Sequence, residues 1–200
     1  MLLFFDGFND TGTVTAPVAV KVSGNRNTFD NCHIAGVGHS TFDVADAGNL
    51  LIDGAQECLF DNCYIGLDTI SRGGAANWGI GFDSYASRIK FKDCLIYGFI
   101  SHDSNHPLVK VLDTAAFDRW IWFKDCLFEY LSENQALTPT TYFVVPAVTP
   151  SMGQIILQNC MGVSGKDGQA SDWCATGRKV VWANMGAATA AAGGGLGTDK

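Results

Sequence analysis

The chain has 200 residues, enough for one domain or for one domain with an appendage. Its 13 Lys and Arg against 20 Asp and Glu give a net charge of −7, which argues against a nucleic-acid binder and against a peripheral binder of anionic membranes. Apolar residues at 47% and charged ones at 16% exclude disorder for most of the chain, and no window approaches the roughly 18 apolar residues of a membrane span.

The opening Met1-Leu-Leu-Phe-Phe-Asp6 has no basic stretch and too short an apolar run for a signal peptide, so folding without export by the usual route is expected. Leu2 to Phe5 read as part of a strand layer already under way. Val18, Val20 and Val22 alternate as in a strand. Phe29-Asp-Asn31-Cys32-His-Ile34 then begins a motif that returns as Phe60-Asp-Asn62-Cys63-Tyr-Ile65 and Phe91-Lys-Asp93-Cys94-Leu-Ile96. Two further copies are Phe123-Lys-Asp125-Cys126-Leu-Phe128 and a weaker Leu157-Gln-Asn159-Cys160-Met-Gly162. The cysteines step by 31, 31, 32 and 34 residues. Val22-Ser23-Gly24, Ile52-Asp53-Gly54, Phe82-Asp83-Ser84 and Leu112-Asp113-Thr114 step by 30 alongside them. Lys179-Val-Val-Trp182 is a last apolar strand. From Gly186 the chain turns to a low-complexity Gly/Ala stretch.

A repeat of this length, with short strands, turn residues and no helical periodicity, suits a unit that buries its inward face only by stacking on copies of itself. The predicted fold is all-β: a right-handed parallel β-helix (solenoid) of about five ~31-residue rungs over residues 1–185, with 186–200 as a Gly/Ala-rich arm. Five rungs about 4.8 Å apart make a body about 25 Å tall, whose two ends are sheet edges needing caps or partners. The interior ladder comprises Phe29, Phe60, Phe91, Phe123 and Leu157 together with Cys32, Cys63, Cys94, Cys126 and Cys160. Asn31, Asn62, Asp93, Asp125 and Asn159 form a turn ladder, because Asn tolerates the left-handed conformation and its amide can bond to the next rung.

With five of seven cysteines at one repeat position, reduced buried thiols fit better than a disulfide scaffold, and no CxxC pair suggests zinc. His102 and His106 are four apart, but Pro, Ser and Asn make their segment a loop. His33 should point outward. No metal or cofactor is expected.

Asp53, Asp83 and Asp113 can stack on one edge, and paired carboxylates about 5 Å or about 6.5–9.5 Å apart are the acids of retaining and inverting glycosidases. The competing and preferred role is turn formation, since each precedes Gly, Ser or Thr. Trp78, Trp120, Trp122 and Trp173 are candidate exposed aromatics. Alternation turns Trp120 and Trp122 outward, so Arg119, Trp120 and Trp122 form a candidate subunit contact.

The segments Gly24–Gly36, Gly66–Arg72 and Asp118–Cys126, within a likeness that runs over roughly residues 15–185, resemble β-solenoid virion proteins of tailed bacteriophages. Those are head-associated structural proteins, and known members extend further at the N-terminus. The resemblance implies a non-enzymatic component of the virion, folded in the host cytoplasm and present in many copies. It further implies a homotrimer that decorates the head or attaches to it, with the major capsid protein as partner and no nucleic acid or membrane. The alternative is a tailspike-like module that binds or hydrolyses glycans along the Asp53, Asp83 and Asp113 edge.

Overall fold

The computed structural model of the chain describes residues 18–36, 47–67, 71, 77–100, 106–112, 117–132, 141–145, 153–164, 172–174, 180–183 and 186–187. The strands follow one another in threes. They are β1 (Val18–Val22), β2 (Thr28–Asp30) and β3 (His33–Ile34), then β4 (Gly48–Asp53), β5 (Leu59–Asp61) and β6 (Tyr64–Ile65). Next come β7 (Trp78–Asp83), β8 (Ala86–Lys92) and β9 (Leu95–Ile100), followed by β10 (Val109–Val111), β11 (Phe117–Lys124) and β12 (Leu127–Ser132). The last are β13 (Thr141–Val144), β14 (Gln154–Gln158) and β15 (Met161–Ser164), then β16 (Asp172–Cys174), β17 (Val180–Ala183) and β18 (Gly186–Ala187). Every third strand joins the same sheet, so sheet A runs β1-β4-β7-β10-β13-β16. Sheet B runs from β2 to β17 and sheet C from β3 to β18 in the same manner. All pairings are parallel. The architecture is a parallel β-solenoid, with no helix among the described residues.

The motif register is the strand register. Phe29 pairs with Phe60, Phe60 with Phe91, Phe91 with Phe123 and Phe123 with Leu157. The four rings stack nearly flat, with centroids 4.6, 4.7 and 4.7 Å apart. Phe82 from sheet A meets Phe91 edge-on, and Phe143 (sheet A) and Phe128 (sheet C) meet Phe123 likewise, which locks the three sheets round one core. Phe60, Phe91, Phe123 and Leu157 are fully buried and Phe29, in the first strand of sheet B, is partly buried. Cys32, Cys63, Cys94, Cys126 and Cys160 are all buried free thiols.

Two points differ from a simple count of motifs. Each sheet holds six strands, whereas the cysteine motif occurs five times. The additional set, β16 to β18, continues the sheets beyond the last cysteine motif, with Ile155 paired to Val180 and Leu157 to Trp182. Its last strand, Gly186–Ala187, pairs with β15 and takes the first two residues of the segment assigned to the arm. The thirty-residue spacing also fails at its last step. Val22 pairs with Ile52 and Ile52 with Phe82, but Phe82 pairs with Val111 rather than Leu112. Burial decides the register, since a one-residue slip exchanges the faces: Val111 is 2% exposed and Leu112 is half-buried. Residues 1–17, 188–200 and Asp113 lie outside the described residues.

Phe91 has an aromatic ring stacked above it and another below, so Phe91→Ala opens a cavity that the rigid ladder cannot close. The expected loss is about 3–5 kcal/mol, read from the denaturant midpoint at unchanged slope. A loss under about 1 kcal/mol would contradict a continuous aromatic column.

Candidate functional site

Sheets B and C meet at a one-residue corner. Asn31, Asn62, Asp93, Asp125 and Asn159 all sit there in the left-handed conformation, with φ between 51° and 55°. Their backbone N–H groups donate to the next layer: Asn31 to Asp61 O, Asn62 to Lys92 O, Asp93 to Lys124 O and Asp125 to Gln158 O, at 2.9–3.0 Å. The amide of Asn62 donates to Asn31 Oδ1, and that of Asn159 to Asp125 Oδ1. Each following cysteine donates its thiol to the carbonyl two residues back. Four of them also reach a Phe carbonyl in the preceding layer: Cys63 to Phe29, Cys94 to Phe60, Cys126 to Phe91 and Cys160 to Phe123. Cysteine fits because it is small and apolar yet keeps a weak donor. Hydrogen bonding to the neighbouring thiol, Cys94 for Cys63 and Cys160 for Cys126, together with burial holds these two thiols well above the usual thiol range. Both lie in the interior column and pack against the core.

The charges at this corner compensate one another. Where the turn residue is Asp the residue before it is Lys, as in Lys92-Asp93 and Lys124-Asp125; where it is Asn the residue before it is Asp or Gln. Lys124 binds Asp125 at 2.7 Å, and Lys92 binds both Asp61 and Asp93 at 3.0 and 3.2 Å. Two stacked aspartates are thereby tolerated.

Sequence reasoning missed a second left-handed column. Arg26, Glu57, Arg88 and Arg119 recur every 31 residues at the corner between sheets A and B, with φ from 54° to 67°. Glu57 bridges Arg26 at 2.6 Å and Arg88 at 2.9 Å, and the Arg26 guanidinium leads in holding the Glu57 carboxyl below its usual range. The step equals the first cysteine steps, so spacing alone carried the signal. Charged residues with no turn propensity concealed it. Cys58 follows Glu57 as Cys63 follows Asn62, donating to the carbonyls of Gly24 and Gln56.

Arg119 is exposed and lies in a bulge of β11, between the Asp118–Ser87 and Ile121–Ile89 pairs. Trp120 and Trp122 are on the outer side of sheet B, half-buried, in edge-to-face contact at 6.3 Å. The Lys90 ammonium lies 4.5 Å from the centroid of the Trp122 ring. Trp78 is not an exposed aromatic: it is 1% exposed, with its ring across Gly48 and Gly81, where a Cβ would come within 1.9 and 2.7 Å of it. Of Trp173 the side chain is outside the described part. His33 reaches Tyr97 Oη at 2.9 Å on the outer face of sheet C, while His106 is buried against Asn77 Oδ1. No cluster of three or more metal-ligating side chains occurs among the described residues.

Asp53 and Asp83 are strand partners at the end of sheet A. Lys21 Nζ binds Asp53 at 2.5 Å, and Asp83 Oδ1 accepts the Ser84 backbone N–H at 2.7 Å. The hydrogen bond from Lys21, followed by one from Ser84, holds the Asp53 carboxyl below the usual range, which is opposite to the shift a general acid needs. Among the described residues no exposed tryptophan shares this edge; Trp120 and Trp122 belong to sheet B. The two aspartates serve the turn and an ion pair.

Comparison with family models, with curated proteins and with solved structures returned no match.

Removing the lysine tests the ion pair. Lys21→Met should raise the Asp53 pKa toward the ordinary value of about 3.9 in a carbon-detected NMR titration. Because the folded value is depressed, the Asp53 contribution to stability is present above the unfolded pKa and fades as the pH falls through the folded one. An unchanged Asp53 titration in Lys21→Met would contradict the pairing.

Proposed function

We propose that the chain is a structural protein of a tailed-phage virion that decorates the head or attaches to it, acting by assembly and without catalysis. The observation that carries this reading is where the polar chemistry goes. The carboxylates of Asp53, Glu57, Asp61, Asp93 and Asp125 are each engaged by lysine or arginine within the solenoid. The stacked thiols are engaged by carbonyls. A repeat that spends its functional groups on its own stacking is suited to presenting outer faces to partners. The resemblance of the Gly24–Gly36, Gly66–Arg72 and Asp118–Cys126 segments supplies the particle.

In this reading the five motif-bearing rungs wind right-handed, as parallel crossovers generally do. Three chains stand side by side as a homotrimer, burying outward apolar residues that one chain exposes, such as Tyr64 and Met161. The other partner is the major capsid protein. The chain folds in the host cytoplasm with its thiols reduced and takes no cofactor, metal, nucleic acid or membrane.

Antibody-gold labelling of intact particles, with copy number from quantitative mass spectrometry of the same sample, tests this. Label over the whole head at hundreds of copies is the expected result. Label at the tail tip at a few copies would favour a glycan-directed module instead. No label on any particle would overturn the reading.

A further inference from the structure

On sheet C, alternation turns one column outward layer after layer. Beyond His33, the strand neighbours Tyr64, Leu95, Leu127 and Met161 face away from the buried Ile65, Ile96, Phe128 and Cys160. Further along the longest strands, Phe99 and Leu131 pair on the same side and are half-buried. Two of the four exposed large apolar side chains among the described residues stand in this one column, Tyr64 at 51% and Met161 at 47%.

The three outer faces differ in charge. Sheet A turns out Lys21, Asp53, Asp83 and Lys110, and sheet B turns out acids and bases together, such as Asp30, Asp61, Lys90 and Lys92. Sheet C turns out a single carboxylate, Glu129, among the described residues. A chain of net −7 repels its own copies at long range. Close contact between copies costs least on the face where almost no ion has to leave water, and interface cores are depleted of charge for that reason.

We infer that the outer face of sheet C, centred on Leu95 and Leu127, is turned to the axis of self-assembly and packs there against the same face of further copies of this chain. Area selects the occupant. The six strands give sheet C about 350 Å² of plane, at about 3.3 Å per residue and about 4.8 Å per strand. One such face against one partner buries no more than an incidental packing contact does, whereas three around one axis reach about 1,000 Å², the lower bound of a specific interface. A different protein meets the face once; copies around an axis present it repeatedly. This inference rests on the assembly reading above and names the face that performs it.

The test is sedimentation of the full chain from about 1 to about 100 μM, for the unaltered protein and for Met161→Glu and Val144→Glu. Self-association is expected, and it should hold or tighten between about 50 and about 500 mM NaCl, since salt screens the repulsion between acidic copies. Met161→Glu should weaken it about tenfold or more, because every copy then brings a carboxylate into the contact. Val144→Glu adds the same charge beside Lys110 on sheet A, at a side chain 41% exposed, and should change it less than about twofold. Circular dichroism establishes that the variants fold; if Met161→Glu does not, Tyr64→Glu reads the same column. An oligomer indifferent to Met161→Glu, or lost on Val144→Glu instead, would overturn this face and leave the assembly reading standing. A monomer that still labels the head at hundreds of copies would overturn further copies as the occupant. A monomer absent from every particle would overturn both.

Discussion

The structure depends on one corner: a single residue in the left-handed conformation between sheets B and C, repeated in every motif-bearing layer. A turn that short keeps the chain in register on both sides. The N–H of the turn residue donates to the layer above, and the carbonyl of the following cysteine accepts from it, as Cys32 does from Tyr64 and Cys63 from Leu95. Hydrogen bonding between layers is therefore continuous across the corner. A left-handed residue costs about 1–2 kcal/mol in an ordinary side chain, and Asn and Asp lower that cost through local hydrogen bonds. Repetition recovers the remainder, since each turn aligns a phenylalanine with the one below it. Stacked rings, buried thiols and the amide ladder are three consequences of the same geometry.

The parts legible in the sequence were those in which one residue type does one job at a fixed step. Phenylalanine in the interior column and Asn or Asp at the corner recur with their chemistry intact, and period-two alternation placed Trp120 and Trp122 on the outer side. The Arg26, Glu57, Arg88 and Arg119 column was not legible by residue type, although its step is as regular. There the backbone conformation is maintained by neighbours and by ion pairs, not by intrinsic preference. The register of β10 escaped because a thirty-residue spacing does not say which of Val111 and Leu112 faces inward; only packing against Phe82 decides it. Of the last three strands, β17 was legible as the apolar run Lys179-Val-Val-Trp182, whereas β16 and the two-residue β18 are too short to show a period of their own. Trp78 was misjudged as exposed, since nothing local tells that Gly48 and Gly81 leave room for its ring.

Function follows from how side chains are divided between inside and outside. The corner and the core consume the cysteines, the stacked aromatics and most carboxylates of the repeat. What remains distinctive is the outer surface: lysines, arginines and tryptophans on sheet B, and on sheet C a column in which His33 is followed by Tyr64, Leu95, Leu127 and Met161. In the proposed reading these faces serve a symmetric assembly, whose specificity comes from matching surfaces. Asp53 illustrates the division, for the ion pair that joins the first two strands of sheet A also holds its carboxyl below the usual range.

Native-state hydrogen exchange at the backbone amides of Asn31, Asn62, Asp93 and Asp125 tests the central claim most directly. If the left-handed corners hold the layers together, the amides of the inner layers, Asn62 and Asp93, exchange only on global unfolding, with the same free energy as the buried Phe91 amide. If instead these amides exchange at the rates of open loops while Phe91 stays protected, the corners are passive connections and the layers are held together by the core alone.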